Sequence, residues 1–183
     1  MKDRKTILKK QVEIFLKKGQ LLQSDEFKKL EKSYITKARK NFTVANLMNT
    51  ISDKKELGST LNLSSDFEMY DWVIIVSYYA MYTSALSALA KLGFKSKSHT
   101  ATIVVLSLYC MAEQNNKGLE VKDIHKLAKA HTLSEQLIIK LIETKTKRET
   151  AQYDATSSIT KEIAKTALND ADEFITKIEE VIA

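Results

Sequence analysis

An uncharged stretch in the middle of the chain constrains its fold more than any other feature. Nineteen residues without a charge separate Asp71 from Lys91, which is about the length of a membrane-spanning helix. Hydroxyl side chains and four aromatic residues interrupt it, namely Trp72, Tyr78, Tyr79 and Tyr82. The next uncharged run, 98–112, is too short to span a bilayer. We therefore interpret the stretch as a buried central helix, with a membrane span as the alternative.

Turn-forming residues are scarce in this chain, which has no proline and only four glycines among its 183 residues. Sandwiches and barrels need many tight turns, so this scarcity argues against an all-β fold. Residues that suit helices dominate the composition instead. A chain of this length can also bury a single sizeable core. We predict one all-α protein.

Apolar periodicity and capping signals divide the chain into about six helices. Ser24 offers a cap for the second helix. Ser65 and Glu68 have the form of a capping box for the third, and Gly93 is expected to end it. Residues 52–65 are predicted to form a loop. The predicted helices cover about 6–23, 24–51, 66–92, 99–114, 121–153 and 160–182, with a break in the fifth near 131–134.

Two patterns predict how these helices pack. A strip of small residues lets a neighbouring helix approach the third one closely: Ala80, Ser84, Ser87 and Ala88. Five residues of the last helix are expected to face the core: Ile163, Ala167, Ala171, Phe174 and Ile178. The third helix should therefore lie in the middle of the bundle.

Positive charge is concentrated near the start of the chain. Residues 1–55 contain 15 basic and 6 acidic side chains, although the whole chain has a net charge of only +6. We predict that residues 1–60 form a basic helical extension packed on a bundle formed by residues 61–183. Such asymmetry indicates contact with nucleic acid or with an acidic partner, and a solvated lysine face is the alternative.

Residue types that hold metals or cofactors are sparse. The chain has three histidines, His99, His125 and His131, and one cysteine, Cys110. We expect no metal site, with His125 and His131 at the surface. The phosphate-binding loop, the dinucleotide-binding glycine pattern and the nucleophile elbow are all absent, so no cofactor is predicted. A single cysteine and a charged N-terminal segment without a signal-peptide pattern favour the cytoplasm.

Three short segments are more distinctive. The first combines Tyr70-Asp71-Trp72 with Ser77-Tyr78-Tyr79-Ala80-Met81-Tyr82. The second runs from Gly93 to Thr100 and contains basic residues and His99. The third is Arg148-Glu149-Thr150-Ala151-Gln152-Tyr153-Asp154. In this order and spacing they resemble the HEPN family, in particular a subfamily with a Tyr-Tyr-Ala-Met central helix and an Arg-x-x-Ala-x-Tyr element. The resemblance covers roughly residues 66–182.

The resemblance implies an antiparallel helical bundle that commonly dimerises through its central helices. It also implies a connection to RNA or nucleotides, because active HEPN proteins are metal-independent ribonucleases. Some are toxins paired with small nucleotidyltransferases. Their signature is an arginine followed by a histidine, and the matching positions here are Val76 and Thr83. The usual catalytic pair is therefore absent.

A candidate site remains around the second and third segments. Lys95, Lys97 and His99 stand at a predicted helix N-terminus, where a phosphate group is favoured, and His99 could act there as acid or base. The alternative is that His99 caps the helix or closes the connection by a hydrogen bond. Arg148 and Tyr153 either join this site or attach the last helix to the bundle.

These observations support three hypotheses. The first is a homodimeric RNA- or nucleotide-binding protein without the usual ribonuclease pair. The second is a metal-independent endoribonuclease that uses His99 and Arg148. The third is the protein partner of a nucleotidyltransferase, docked through the basic N-terminal third.

Overall fold

A computed structural model describes residues 2–113, 135–154 and 159–183. Within these ranges the chain forms seven α-helices: α1 (Lys2–Lys17), α2 (Glu31–Asp53), α3 (Lys55–Thr60), α4 (Tyr70–Lys91), α5 (His99–Glu113), α6 (Glu135–Tyr153) and α7 (Lys161–Ile182). A 3-10 helix covers Asp25–Leu30. Two short strands, β1 (Leu21–Gln23) and β2 (Phe94–Ser96), pair antiparallel. The predicted all-α fold is confirmed.

Helix α4 is the uncharged stretch, and it lies in the middle of the bundle against α2, α6 and α7. Its strip of small residues is buried, as predicted. Two fully buried alanines of α2, Ala38 and Ala45, allow a close approach of the two helices. Near one end of this contact the Ser87 hydroxyl donates a hydrogen bond to the backbone oxygen of Glu31 at 2.9 Å.

Apolar side chains of α4 belong to two adjoining cores. Tyr78, Met81 and Leu89 pack with residues of α5, α6 and α7 in the larger core. Val73 and Ile74 pack with Ala45 of α2 and with residues of α7 in the smaller one. Among the described residues α4 alone has the length and apolarity of a membrane span, and 78% of its most apolar window is buried within the fold. A core helix of a soluble protein shows the same properties.

The N-terminal helices share these cores. Val12, Phe15 and Leu16 of α1 pack against the larger core, and Phe42 of α2 packs against both. The burial of apolar area therefore attaches the basic segment to the bundle. A domain boundary near residue 60 stays a prediction.

Several predicted helix ends were wrong. Helix α1 ends at Lys17 instead of residue 23, because Gly19 adopts a φ of +64° and the chain continues into β1. Ser24 accepts a hydrogen bond from the backbone of Glu26, as expected of a cap, but it caps the 3-10 helix. The predicted loop 52–65 contains α3.

The predicted capping box at Ser65 and Glu68 was also wrong. Helix α4 begins at Tyr70, and the backbone N–H of Met69 donates to the Ser52 hydroxyl at 2.9 Å. At the other end, Gly93 has a φ of +80° just beyond the last helical turn, as predicted.

Helix α7 shows one error in the predicted core face. Ala167, Ala171, Phe174 and Ile178 are fully buried, whereas Ile163 is 36% exposed. Ile163 lies in the first turn, where its backbone N–H donates to the hydroxyl of the cap residue Thr160. The predictions for 115–118, for the first part of the fifth helix, and for His125 and His131 lie outside the described residues.

Candidate functional site

Two tyrosines of α4 and the first residue of α5 form a stack of rings. Tyr78 and Tyr82 are four residues apart and therefore lie on the same side of α4. The His99 ring lies 4.0 Å from the Tyr82 ring, centroid to centroid, with 10° between the planes. It lies 5.6 Å from the Tyr78 ring at 16°. The Tyr78 hydroxyl is hydrogen bonded to His99 Nδ1.

Local structure fixes the position of His99. Strand β2 ends at Ser96, whose hydroxyl donates to the backbone oxygen of Ser98 at 2.8 Å. The Ser98 hydroxyl accepts from the backbone N–H of Ala101 at 3.4 Å, in the manner of an N-cap. Ser98 therefore caps α5, and the alternative that His99 is the cap is wrong. The His99 side chain is free to turn toward Tyr78 and Tyr82.

The direction of the Tyr78–His99 hydrogen bond determines what His99 can do. Tyr78 is fully buried, and burial raises the pKa of its hydroxyl well above the usual value. The phenol therefore keeps its proton, and within the described ranges His99 Nδ1 is the acceptor that it reaches. Since Nδ1 accepts this hydrogen bond, the proton of a neutral imidazole lies on Nε2.

The charge state of His99 follows from its surroundings. Burial lowers the pKa of the imidazole, and the positive charges of Arg148 and Lys145 lower it further. Glu149 acts in the opposite direction with a smaller effect. His99 is therefore neutral at pH 7, and its Nε2–H is a hydrogen-bond donor.

Arg148 of α6 lies on the same group of rings. Its Cζ is 5.4 Å from the centroid of the Tyr78 ring and 6.0 Å from that of Tyr153, which is the range of a cation–π contact. Nη1 donates to Gln152 Oε1 at 2.6 Å, and Nη2 is 3.9 Å from Glu149 Oε1. Nε is buried and has no acceptor among the described residues. The guanidinium thus has donors that the fold leaves unused.

The rim of this cluster is more open. The Tyr153 ring is 74% exposed. Glu149 is held by Lys145, whose Nζ lies 2.8 Å from Glu149 Oε1, and this hydrogen bond lowers the pKa of the carboxyl group. We call Tyr78, Tyr82, His99, Arg148 and Tyr153 the His99–Arg148 cluster.

Not all of the predicted site residues meet. The structure brings together His99, Arg148 and Tyr153, although His99 is the first residue of α5 and the other two belong to the C-terminal half of α6. Lys95 instead places its Nζ 5.8 Å from the centroid of the Phe27 ring. The exposed Lys97 side chain has no hydrogen bond or ion pair within the described ranges, and its backbone N–H donates to Gln20.

Sequence reasoning missed the part that the tyrosines play. Tyr78 is buried and Tyr79 is 39% exposed, so the two adjacent rings lie on different sides of α4. The spacing of Tyr78 and Tyr82 was the available signal, since it places both rings on one side of the helix. Thr83, which the resemblance was expected to place at a catalytic position, is buried and donates to the backbone oxygen of Tyr79 at 2.6 Å.

The cluster lies within a part of the chain that matches a known protein family. A model of the HEPN domain matches residues 54–181, a range that contains every residue of the His99–Arg148 cluster. No curated protein matches the chain. Helix α2, which packs along α4, precedes the matched range.

Proposed function

This chain belongs to the HEPN family, and on that basis we propose that it binds RNA or a nucleotide through the His99–Arg148 cluster. Family membership indicates a nucleotide- or RNA-related function. The observation that carries the finer proposal is the Arg148 guanidinium, which lies against Tyr78 and retains a buried Nε without an acceptor among the described residues. A phosphate group is a natural partner for such a cation.

The other members of the cluster suit the same ligand. The exposed Tyr153 ring offers a face on which a base can stack, and stacking is worth about 1–3 kcal/mol per base. His99 offers its Nε2–H to an oxygen acceptor such as a phosphate. A neutral donor beside an arginine binds an anion without requiring a second buried charge.

Binding, and not cleavage, is the leading proposal. Val76 and Thr83 occupy the positions of the usual arginine and histidine, and neither side chain can transfer a proton near neutral pH. The imidazole of His99 uses Nδ1 to accept from Tyr78, so only Nε2 is directed elsewhere. We therefore propose a HEPN protein that works by holding its ligand.

A second candidate, a metal-independent endoribonuclease, is favoured by one observation. Tyr78 contacts both His99, through its hydroxyl, and Arg148, through its ring face. A histidine that can exchange a proton and an arginine that neutralises a phosphate are the elements such a reaction needs, and only the protonated minority of His99 could supply the proton near pH 7. Loss of cleavage in both His99→Ala and Arg148→Gln would favour this candidate over binding alone.

We further propose that the protein is a cytoplasmic homodimer. Trp72 and Tyr79 of α4 are 53% and 39% exposed, and their spacing of seven residues places them on one side of the helix. Exposed aromatic residues are enriched in protein interfaces. A strictly monomeric protein at micromolar concentrations in sedimentation analysis would contradict the dimer.

The test of the main proposal uses single-stranded RNA with a fluorescent label, in low salt and with EDTA. Fluorescence anisotropy measures binding, and a denaturing gel of the same samples detects cleavage. Arg148→Gln should weaken binding about tenfold or more, since a charge-assisted contact contributes about 1.5–3 kcal/mol. Lys37→Gln removes an equal charge at an exposed position of α2 and should leave binding nearly unchanged. Equal affinities for the two variants would overturn the proposal.

A further inference from the structure

The two-stranded ribbon joins parts of the chain that are far apart in sequence. Strand β1 follows α1, and β2 lies between α4 and α5. Leu22 pairs with Lys95. The backbone N–H of Lys97 donates to the backbone oxygen of Gln20 at 2.8 Å, which extends the pairing by one step. The C-terminal end of α1 is thereby held beside the segment that leads to His99.

The ribbon has a buried and an exposed face. Leu21 and Ser96, which pair with each other, are buried. Because side chains alternate along a strand, Lys95 and Lys97 lie together on the opposite face, and Lys97 is exposed. Lys17 and Lys18, at the end of α1, are exposed as well. We call Lys17, Lys18, Lys95 and Lys97 the ribbon lysines.

The ribbon lysines differ from many other cations of this protein. No carboxylate lies within ion-pair distance of any of the four in the part of the chain that the structure describes. Several basic side chains on the helices do face carboxylates: Arg4 faces Glu135, Arg39 faces Asp172 and Glu179, Lys140 faces Asp170 and Glu173, and Lys161 and Lys165 face Asp53. Lys37 and Lys54 resemble the ribbon lysines in having no carboxylate within ion-pair distance among the described residues. Intramolecular pairing therefore does not account for the ribbon lysines.

We infer that the ribbon lysines form a second contact surface, which binds the phosphate backbone of an RNA strand whose other contact is the His99–Arg148 cluster. The inference rests on the proposed function and narrows its ligand from a nucleotide to a polynucleotide. Lys97 is two residues from His99, so the surface leads directly to the start of α5.

The chemistry of the surface fits a backbone better than a single ligand. Ammonium groups are point charges on flexible stems, which suit a row of phosphates but not the planar recognition of one group. The Lys95 ammonium lies over Phe27, a half-buried ring at the same surface, and basic surfaces with aromatic rings are typical of single-strand binding. Such contacts position a strand without reading its sequence.

Salt dependence of RNA binding tests this inference, because each phosphate contact on a single strand contributes about 0.7 to the slope of log affinity against log salt. The double variant Lys18→Gln, Lys97→Gln should reduce the slope by about 1.4 and the affinity in low salt by about tenfold. The control Lys37→Gln, Lys54→Gln removes the same charge at exposed positions outside the ribbon. Both variants use the whole 183-residue chain and the labelled RNA.

The outcomes separate this inference from the proposed function. Suppose that the ribbon variant has the same RNA affinity and salt dependence as its control, while Arg148→Gln still weakens RNA binding. That result would overturn the inference and leave the proposed function intact. A wild-type protein that does not bind RNA would overturn both. If polyglutamate or phosphatidylserine vesicles bind as tightly as RNA, and with the same dependence on the ribbon lysines, the surface serves an acidic protein or a membrane and the inference is wrong.

Discussion

Arg39 and Arg148 are both partly or wholly inside the fold, but their surroundings differ in kind. Arg39 of α2 donates to both carboxylate oxygens of Glu179 at 2.9 and 2.5 Å. It also donates to Asp172 at 3.0 Å and to the Thr176 hydroxyl at 3.1 Å. The pKa of Arg39 is raised, and its hydrogen bonds to Glu179 contribute most to that increase. Arg148, in contrast, lies against aromatic rings with one amide oxygen as its close acceptor.

This difference separates a residue that builds the fold from one that is available to a ligand. The Arg39 guanidinium donates its hydrogen bonds to side chains of α7 and so joins the N-terminal segment to the last helix. The Arg148 side chain is only 11% exposed, and the Glu149 carboxylate that it faces is 3.9 Å from Nη2. Its Nε has no acceptor among the described residues. An arginine without a carboxylate partner at close range is costly to the fold, and a bound phosphate would offset that cost.

Two tyrosines of α4 repeat the contrast. The Tyr70 hydroxyl donates to Asp53 at 3.0 Å, and burial together with this carboxylate raises the pKa of Tyr70 to about 12. Burial opposes ionisation of Asp53, but hydrogen bonds from Lys161 and Tyr70 outweigh it and lower the pKa of that carboxyl group. Tyr78 reaches a neutral imidazole instead. The Tyr70 hydroxyl at the start of α4 thus faces a carboxylate, whereas the Tyr78 hydroxyl, about two turns further along, faces a neutral ring.

The largest expected effect is on stability, at Tyr78. Tyr78→Ala removes a fully buried ring and should lower the free energy of unfolding by about 3–5 kcal/mol. Tyr78→Phe keeps the ring and removes only the hydroxyl, at a cost of about 1 kcal/mol. Urea denaturation measures both. Equal losses in the two variants would mean that the hydroxyl, and not ring packing, dominates at this position.

Arg39→Gln should give a smaller loss of stability and no loss of binding. Arg39 is 36% exposed, and its partners Asp172 and Glu179 are 55% and 38% exposed. Solvent screening therefore limits the expected cost to about 1 kcal/mol. For a chain of this size that lowers the melting temperature by about 2–4 °C. For Arg148→Gln we expect the opposite result: weaker RNA binding and a melting temperature close to that of the wild type. If Arg39→Gln also loses RNA, the contrast between the two arginines fails.

The sequence predicted the fold from features that act locally. Once a membrane span is set aside, a long uncharged stretch with small residues indicates a buried helix. Gly93 marks the end of that helix because a φ of +80° disfavours other residues. The strands were missed because three residues carry too little periodicity. The start of α4 was missed because Ser52, seventeen residues away, supplies the hydrogen bond to Met69.

The candidate site was predicted only in part, for a similar reason. His99, Arg148 and Tyr153 were selected from segments that resemble the family, and the structure places them together. Lys95 was assigned to the same site by proximity in sequence, but strand pairing turns it toward Phe27. The role of Tyr78 was not predicted, because its hydroxyl is buried against a partner, His99, that lies on another helix. Contacts between distant elements depend on packing angles that periodicity does not determine.

The smallest expected effect is on the titration of His99, and it tests whether the charge of Arg148 is left uncompensated. The folded-state pKa of His99 lies below its ordinary value of 6.5, so below about pH 6.5 the unfolded chain binds the proton first. Stability should therefore fall as the pH decreases through this range, and His99→Gln should remove that component. Well above pH 6.5 both states are neutral at this residue and no effect is expected.

Two variants on α6 should move the His99 pKa in opposite directions. Arg148→Gln removes a positive charge that lowers the pKa and should raise it, whereas Glu149→Gln removes a negative charge that raises the pKa and should lower it. NMR titration of the His99 ring measures both shifts, and the nitrogen shifts show whether the neutral ring carries its proton on Nε2. An Arg148→Gln variant that leaves the midpoint unchanged would mean that the guanidinium charge is already balanced, as it is at Arg39. The reason for assigning a phosphate to Arg148 would then be lost.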